Sequence, residues 1–235
     1  MFSVVFEVHP KSEQWDAYLG NAKMLRHELE RIDGFVDNIR YKSLTRDGWI
    51  LSLSGWRDEK SVVRWRTEMR HHLVQQKGRT EILLDYHLRV GQVTADTRIP
   101  HGYCLQEQRL DETEVGEGTA LTLLDAKSPA ASSEHSGVQS TPAPPLTAEA
   151  SARYLGLPFQ AEGILKWDVF DAVLTPGDLM LLISWKTANH AQAFEKNVQM
   201  PSDGRFRRVR VIRDYGMFDR REAPQYYPDA VRASA

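Results

Sequence analysis

Cysteine, long apolar runs and net charge are all scarce in this sequence, and each shortage excludes something. The 235 residues contain one cysteine, Cys104, so no internal disulfide can form, as expected of a protein from a reducing compartment. No motif sets a base beside that thiol, which reads as a small structural residue and not as a nucleophile. No stretch approaches the roughly 18 uninterrupted apolar residues of a membrane span. The opening MFSVVFEVHPKSE has no basic leader and is broken by Glu7, so it reads as a strand and not a secretory signal, and a cytoplasmic chain is expected. A formal net charge of -2 argues against nucleic acid as a partner. There is no GxGxxG after a strand, no P-loop lysine, and no CxxC or HExxH spacing, which leaves no sequence support for a dinucleotide, nucleotide or zinc site.

What is present is an ordinary globular composition, 41% hydrophobic and 26% charged, and an internal repeat. Shifted by 129 positions, Gly34 falls on Gly163, Gly48 on Gly177, Trp56 on Trp185 and Trp65 on Phe194 without a gap. Ile50, Leu51 and Leu53 likewise face Leu179, Met180 and Leu182. A repeat decides architecture before any element is named. With domains typically of about 100–150 residues, it divides this length into two small units.

In the first unit, Phe2 to Val8 is a β-branched and aromatic run stopped by His9-Pro10, a strand. Ser12 is a candidate cap for a helix carrying Trp15, Leu19, Ala22, Leu25, Leu29 and Ile32 on one face and ending at Asp33-Gly34. Phe35 to Leu44 and Trp49 to Trp56 form a hairpin through Asp47-Gly48. Asp58 and Glu59 open a second helix, continuous to about Lys77, with Val62, Trp65, Met69, His72 and Gln76 along one face. Tyr86 to Val93 returns to strand. The order β-α-β-β-α-β is a ferredoxin-like unit.

The second unit repeats the order: strand Thr119 to Ala126, helix Thr147 to Leu155, hairpin Gly163 to Val173 and Leu179 to Trp185, helix Ala188 to Asn197. Pairing Val90 with Val209 gives an offset of 119, so about ten residues of the first unit's second helix have no counterpart. Ser, Pro and Ala fill 127–147, an expected surface insertion. The predicted organisation is therefore residues 1–98, a linker 99–117, a degenerate second unit 118–216 and a tail 217–235 whose paired tyrosines are candidates to strap the other unit.

Gly34-Phe35, the Ser-Gly-Trp ending at Trp56, Arg57-Asp58-Glu59, Trp65, HHLVQQKGR and YHLRV together resemble the antibiotic biosynthesis monooxygenase (ABM) family. The resemblance covers residues 1 to about 98 well and 118–216 faintly. It implies an α+β fold, two ferredoxin-like repeats closed into a dimeric-α+β-barrel arrangement within one chain, an intramolecular pseudo-dimer. It leaves open a further pairing into a homodimer.

The resemblance also implies a chemistry. Oxygenases of that family use neither metal nor flavin: an electron-rich phenol or hydroquinone passes an electron to oxygen while the protein desolvates and deprotonates it. On that reading the partners are a small aromatic substrate and oxygen. The site belongs to the first unit, in a pocket between sheet and helices, with His72 as base beside Trp65 and with Trp56, Tyr41, Met69 and Arg89 as substrate contacts. The second unit, with its shorter helix, completes the barrel. A haem-degrading branch of the same superfamily is a further reading, but Phe6 stands where its first-strand asparagine is expected and Gln75 where its axial histidine is. A different class of reading is a stress-response or binding module that holds a small hydrophobic ligand without turnover.

Overall fold

The computed structural model describes residues 1–129, 146–228 and 230. Strand β1 (Phe2–Pro10) sends Val5 and Glu7 to one face and Phe2, Val4, Phe6 and Val8 to the other, the alternation any strand imposes. Helix α1 (Trp15–Glu30) buries Ala22, Leu25 and Leu29. Ser12 does not cap it; its hydroxyl bonds Glu13 in the short 3-10 turn that precedes the helix. Strands β2 (Phe35–Ser43) and β3 (Ile50–Trp56) follow as a hairpin entered through Gly34 and turned at Gly48, at φ of 87° and 73°. Their counterparts Gly163 and Gly177 sit at 81° and 93°, conformations that glycine adopts without penalty.

The long second helix expected in this half is two helices. Helix α2 (Glu59–Arg66) starts where the Asp58 carboxylate accepts the Ser61 N–H at 2.8 Å. Thr67 ends it. Glu68 then adopts extended backbone, ψ 131°, and its carboxylate accepts the His71 N–H at 2.8 Å to open α3 (Met69–Lys77). A π-helical turn, Gly78–Ile82, leads into β4 (Leu83–Asp96).

The second half runs β5 (Ala120–Lys127), α4 (Ala148–Tyr154), β6 (Ile164–Ala172), β7 (Asp178–Trp185), α5 (Ala188–Glu195) and β8 (Arg205–Gly216). Thr147 caps α4 by accepting the Ala150 N–H at 3.2 Å. Most of the expected insertion lies outside the described residues. Among the described residues, no helix is long and apolar enough to cross a membrane.

The eight strands close into one antiparallel barrel in the order β1-β3-β2-β6-β7-β5-β8-β4, which leaves no open sheet edge. Each half contributes the same sub-order, β4-β1-β3-β2 and β8-β5-β7-β6. The registers match as well. Phe2 faces Trp56 and Gln92, as Ala120 faces Trp185 and Arg210. The last strands therefore correspond 118 residues apart, correcting the offset read from Val90 and Val209. At one seam Tyr41 lies opposite Ala172 and Ser43 opposite Phe170, and at the other Gln92 lies opposite Arg210. Exchanging the halves maps these pairs onto each other, the self-complementary geometry of a two-fold interface.

The barrel interior is packed with Val5, Leu51, Leu53, Phe170, Met180 and their neighbours. Buried ion pairs stand at its ends. Glu7 pairs with Arg89 and, at 2.5 Å, with Arg46, which also reaches Asp168 at 2.6 Å. Burial favours the neutral form of Glu7, but the attraction of Arg89 and Arg46 wins and holds its pKa at about 2. Arg207 and Asp125, the counterparts of Arg89 and Glu7, pair at 2.6 Å. The connection between halves packs Tyr103 and Leu105 on the core and is pinned by Gln92, whose side-chain oxygen accepts the Gln108 and Arg109 N–H groups at 2.8 and 2.9 Å. Cys104, in that connection, is exposed and free.

Candidate active site

A cavity of 220 Å³ lies outside the barrel, between the first half's sheet and its helices. Val4, Phe6, Leu88 and Val90 form its floor, Ala22, Leu25 and Leu29 of α1 one wall, and Trp65, His71 and Val74 of α2 and α3 the other. The tail arrives from β8, in the other half, and closes one side with Arg220, Pro224, Gln225 and Tyr227. Gln225 donates to the Arg66 carbonyl at 3.1 Å and to Gln75 at 3.2 Å. Tyr227 packs between Arg79 and Arg220, which lie 5.4 and 5.3 Å from its ring. The strap expected of the tail is in place, made by Tyr227; Tyr226 is exposed.

The break at Thr67 and Glu68 decides which histidine enters. Restarting the helix turns His71, Val74, Gln75 and Gly78 inward, and Met69, His72, Leu73 and Gln76 outward. His71 lies on the Trp65 indole, ring centroids 4.0 Å apart, with its Nδ1 2.8 Å from the Trp65 carbonyl. A carbonyl only accepts, so Nδ1 carries the proton and Nε2 keeps its lone pair. Burial lowers the His71 pKa to about 4, against the pull of the Trp65 carbonyl and Glu68. At neutral pH the ring is uncharged, and its Nε2 lone pair can accept a hydrogen bond.

The charged lining is one-sided. Arg40, Arg66, Arg79, Arg213 and Arg220 reach the cavity against one carboxylate, Glu59, which is held by Arg109 at 2.8 Å. None of the five arginines forms an ion pair among the described residues. The Nε atoms of Arg40 and Arg66 are buried without a hydrogen-bond acceptor. Cations left uncompensated beside apolar walls favour an anionic ligand.

The second half has filled the corresponding space. The paired positions Asn38–Ser54 and Arg40–Ser52 of the first sheet correspond to Trp167–Ile183 and Val169–Leu181 of the second. Val169, Leu181 and Ile183 are fully buried in an apolar core that also takes in Trp185 and Phe194. His190, at the start of α5, bonds Thr187 at 2.8 Å beside Gly163 and lines only an open surface groove.

No family model matches the sequence. A curated relative does: the jasmonate monooxygenase ABM of Pyricularia oryzae is 48% identical over 238 aligned positions, which take in 98% of this chain and all of that one. This chain belongs to the ABM monooxygenase family. It is accordingly a monooxygenase-like oxidoreductase. Two solved aldoxime dehydratases share the fold alone, one in complex with butyraldoxime. They align at TM-scores of 0.51 and 0.52 with 12% and 10% identity, covering 90% of this chain and 79% and 81% of theirs.

Against this cavity, the residues singled out from the ABM resemblance divide sharply. Trp65 lines it. His72 does not: it is exposed and stacks on Tyr227, its Nδ1 3.2 Å from the phenol. Met69 is 74% exposed. Both were placed on the Trp65 face by counting helical turns across a break. Trp56 does not line the cavity: it is fully buried on the same face of the sheet, packed with Leu29, Val62 and Val90, its indole N–H donating to Ser54 at 2.9 Å, while that of Trp185 donates to Thr122 at 2.9 Å. Tyr41 and Arg89 point into the barrel and not toward the helices, the first in the apolar core and the second on Glu7. Sequence reasoning missed His71 as the inward histidine, and missed Arg40, Asn38 and Ser52 entirely. The signal for the last three was present in the repeat, as polar residues aligned with Val169, Trp167 and Leu181. Of the positions weighed for haem, Phe6 and Gln75 both line the cavity, and the proton on His71 Nδ1 is held by the Trp65 carbonyl.

Proposed function

We propose that this enzyme oxidises a small, largely apolar oxyanion in the first-half cavity, and that its substrate is a jasmonate-type carboxylate, one atom of oxygen entering the substrate and the other leaving as water with two electrons from an external reductant. The observation that carries the reading is the set of five arginines around an apolar chamber whose one lining carboxylate, Glu59, is paired with Arg109. The 48% identity to a protein named for jasmonate, itself a carboxylate, supports the choice of anion. The volume supports a small ligand, since 220 Å³ is below the roughly 300–1,000 Å³ of typical ligand sites. His71 is the proposed proton acceptor, and Trp65 and the apolar floor exclude water.

A second reading keeps the phenol or hydroquinone implied by the family resemblance, and the neutral His71 favours it. A hydroquinone supplies all four electrons itself: one oxygen atom enters the ring and the other leaves as water, giving a hydroxyquinone. Hydroxylation of a saturated carbon needs two more electrons from an external reductant. The two readings therefore separate in one assay, oxygen uptake and ¹⁸O incorporation with jasmonate and with a hydroquinone panel, each with and without NAD(P)H. Reductant-dependent labelling of jasmonate supports the first, reductant-free labelling of a hydroquinone supports the second, and uptake with neither contradicts both.

The matching registers of the two halves support an origin by tandem duplication, with this chain serving as its own pseudo-dimer and the second half as scaffold. The lone thiol Cys104 supports a reducing, cytoplasmic location.

A further inference from the structure

The five arginines are not equivalent. Arg79 donates to Tyr86 at 2.7 Å, to the Met217 carbonyl at 3.3 Å and to the Pro228 carbonyl at 3.0 Å. Arg220 donates to Tyr86 at 2.5 Å and to the Gln225 carbonyl at 2.9 Å. Both are committed to holding the tail. Arg66 and Arg213 lie at the same tail-covered end, on α2 and β8. Arg40 stands apart on β2, separated from β8 by β3, β1 and β4, a span of about 19 Å at the usual strand spacing.

Around Arg40 the hydrogen-bond bookkeeping leaves donors over. Asn38 donates to the Ser52 hydroxyl oxygen at 3.0 Å and to the Leu53 carbonyl at 3.1 Å, so the Ser52 proton is free to turn into the cavity. The Arg40 guanidinium lies beside the Tyr18 phenol, which also carries a proton able to turn into the cavity. Burial keeps that phenol protonated, and the nearby Arg40 charge only partly offsets this. Arg40 itself retains the buried Nε without an acceptor. One guanidinium and two hydroxyls thus face the same end of the cavity with hydrogens and no protein oxygen to receive them.

We propose that Arg40, backed by Tyr18 and Ser52, is the anchor for the anionic group of the substrate, and that the apolar body of the substrate extends from it along the cavity to present the carbon to be oxidised to His71 and Trp65. The proposal rests on the reading of this cavity as the substrate site. It makes the enzyme selective for molecules with an anion at one end of an apolar body, and it assigns Arg40 a role in specificity rather than in the oxidation itself. The counterpart of Arg40 in the second half, Val169, could hold no anion, which agrees with the filling of that side.

The test is calorimetric binding to the full chain of two acid–ester pairs, jasmonate with methyl jasmonate and 4-phenylbutyrate with its methyl ester. The wild-type protein is expected to prefer each acid by about 10- to 100-fold, the scale of hydrogen bonds to a charged group. Arg40→Met should erase the preference while leaving ester affinity within a few fold, Arg40→Lys should keep part of it, and Arg26→Met, at an exposed position of α1 outside the cavity, should keep it all. Thermal melts establish that each variant is folded, and Tyr18→Phe, which removes one donor and keeps the ring, gives an independent partial loss. An undiminished preference in Arg40→Met, its loss in Arg26→Met instead, or a wild-type protein that binds the acids no better than the esters overturns the anchor. Acid binding that depends on Arg40 without turnover of jasmonate upholds the anchor while contradicting the proposed reaction.

Discussion

The His71 imidazole lies within 13° of parallel to the Trp65 indole, 4.0 Å from it, and its Nδ1 is tied to the carbonyl of the same tryptophan. One residue thus fixes both the ring plane and the tautomer of the other. If His71 takes the substrate proton, His71→Gln should lower kcat/KM by about 100-fold or more, the usual scale for a lost general base. His72→Gln should change it by no more than a few fold. Steady-state oxygen uptake by the two variants, with folding checked by circular dichroism, distinguishes the inward histidine from its exposed neighbour.

Acid should destabilise the protein in two stages. The folded pKa of His71, about 4, lies below its ordinary 6.5, so the unfolded chain binds this proton more readily and stability falls as pH drops from 6.5 toward 4. Glu7, held at about 2 against an ordinary 4.5, contributes stability that is complete above 4.5 and is lost as pH falls toward 2. Melting temperatures measured from pH 7 to pH 3 should decline throughout. His71→Phe is expected to flatten the upper stage and Glu7→Gln the lower.

Removing the tail after Glu222 deletes the Gln225, Tyr227 and Pro228 contacts while sparing the Glu222 carboxylate, which accepts the Asp214 N–H at 2.6 Å. The cavity should then open on that side. KM should rise by about tenfold with a smaller change in kcat, because the lost contacts exclude water and confine substrate.

Trp56 and Trp185 hold equivalent places and each donates to a hydroxyl, Trp56 to Ser54 on its own strand and Trp185 to Thr122 on β5, but Trp56 packs beside the first-half cavity and Trp185 in the filled core of the second. Either tryptophan changed to alanine should cost about 3–5 kcal/mol, the range for large aromatics in cores. Chemical denaturation checks this. Trp185→Ala should leave the KM of the folded fraction unchanged.

The architecture was legible because its marks are local. Gly34 and Gly163, Gly48 and Gly177, and Trp56 and Trp185 each encode a turn or a core position within a few residues, and their spacing marked two halves of like strand order. The helix break was not legible, since Thr67 and Glu68 are compatible with a continuing helix and only the Glu68 cap on His71 marks the restart. That single lost phase moved Met69 and His72 onto the wrong face. Tyr41 and Arg89 were misplaced for a related reason: a strand covered on both faces shows which residues alternate, but not which face meets the helices. The polar patch of Asn38, Arg40 and Ser52 needed the two halves compared position by position, where Trp167, Val169 and Leu181 show what a filled version looks like.

That comparison supplies the most direct test of whether the first-half cavity is where oxidation occurs. The double variant Asn38→Trp with Ser52→Leu writes the second half's filling into the first. Oxygen consumption by this variant, measured with the substrate that the labelling assay identifies, should fall at least 100-fold while its melting temperature stays at or above that of the wild type. A folded double variant that consumes oxygen at the wild-type rate would contradict the account.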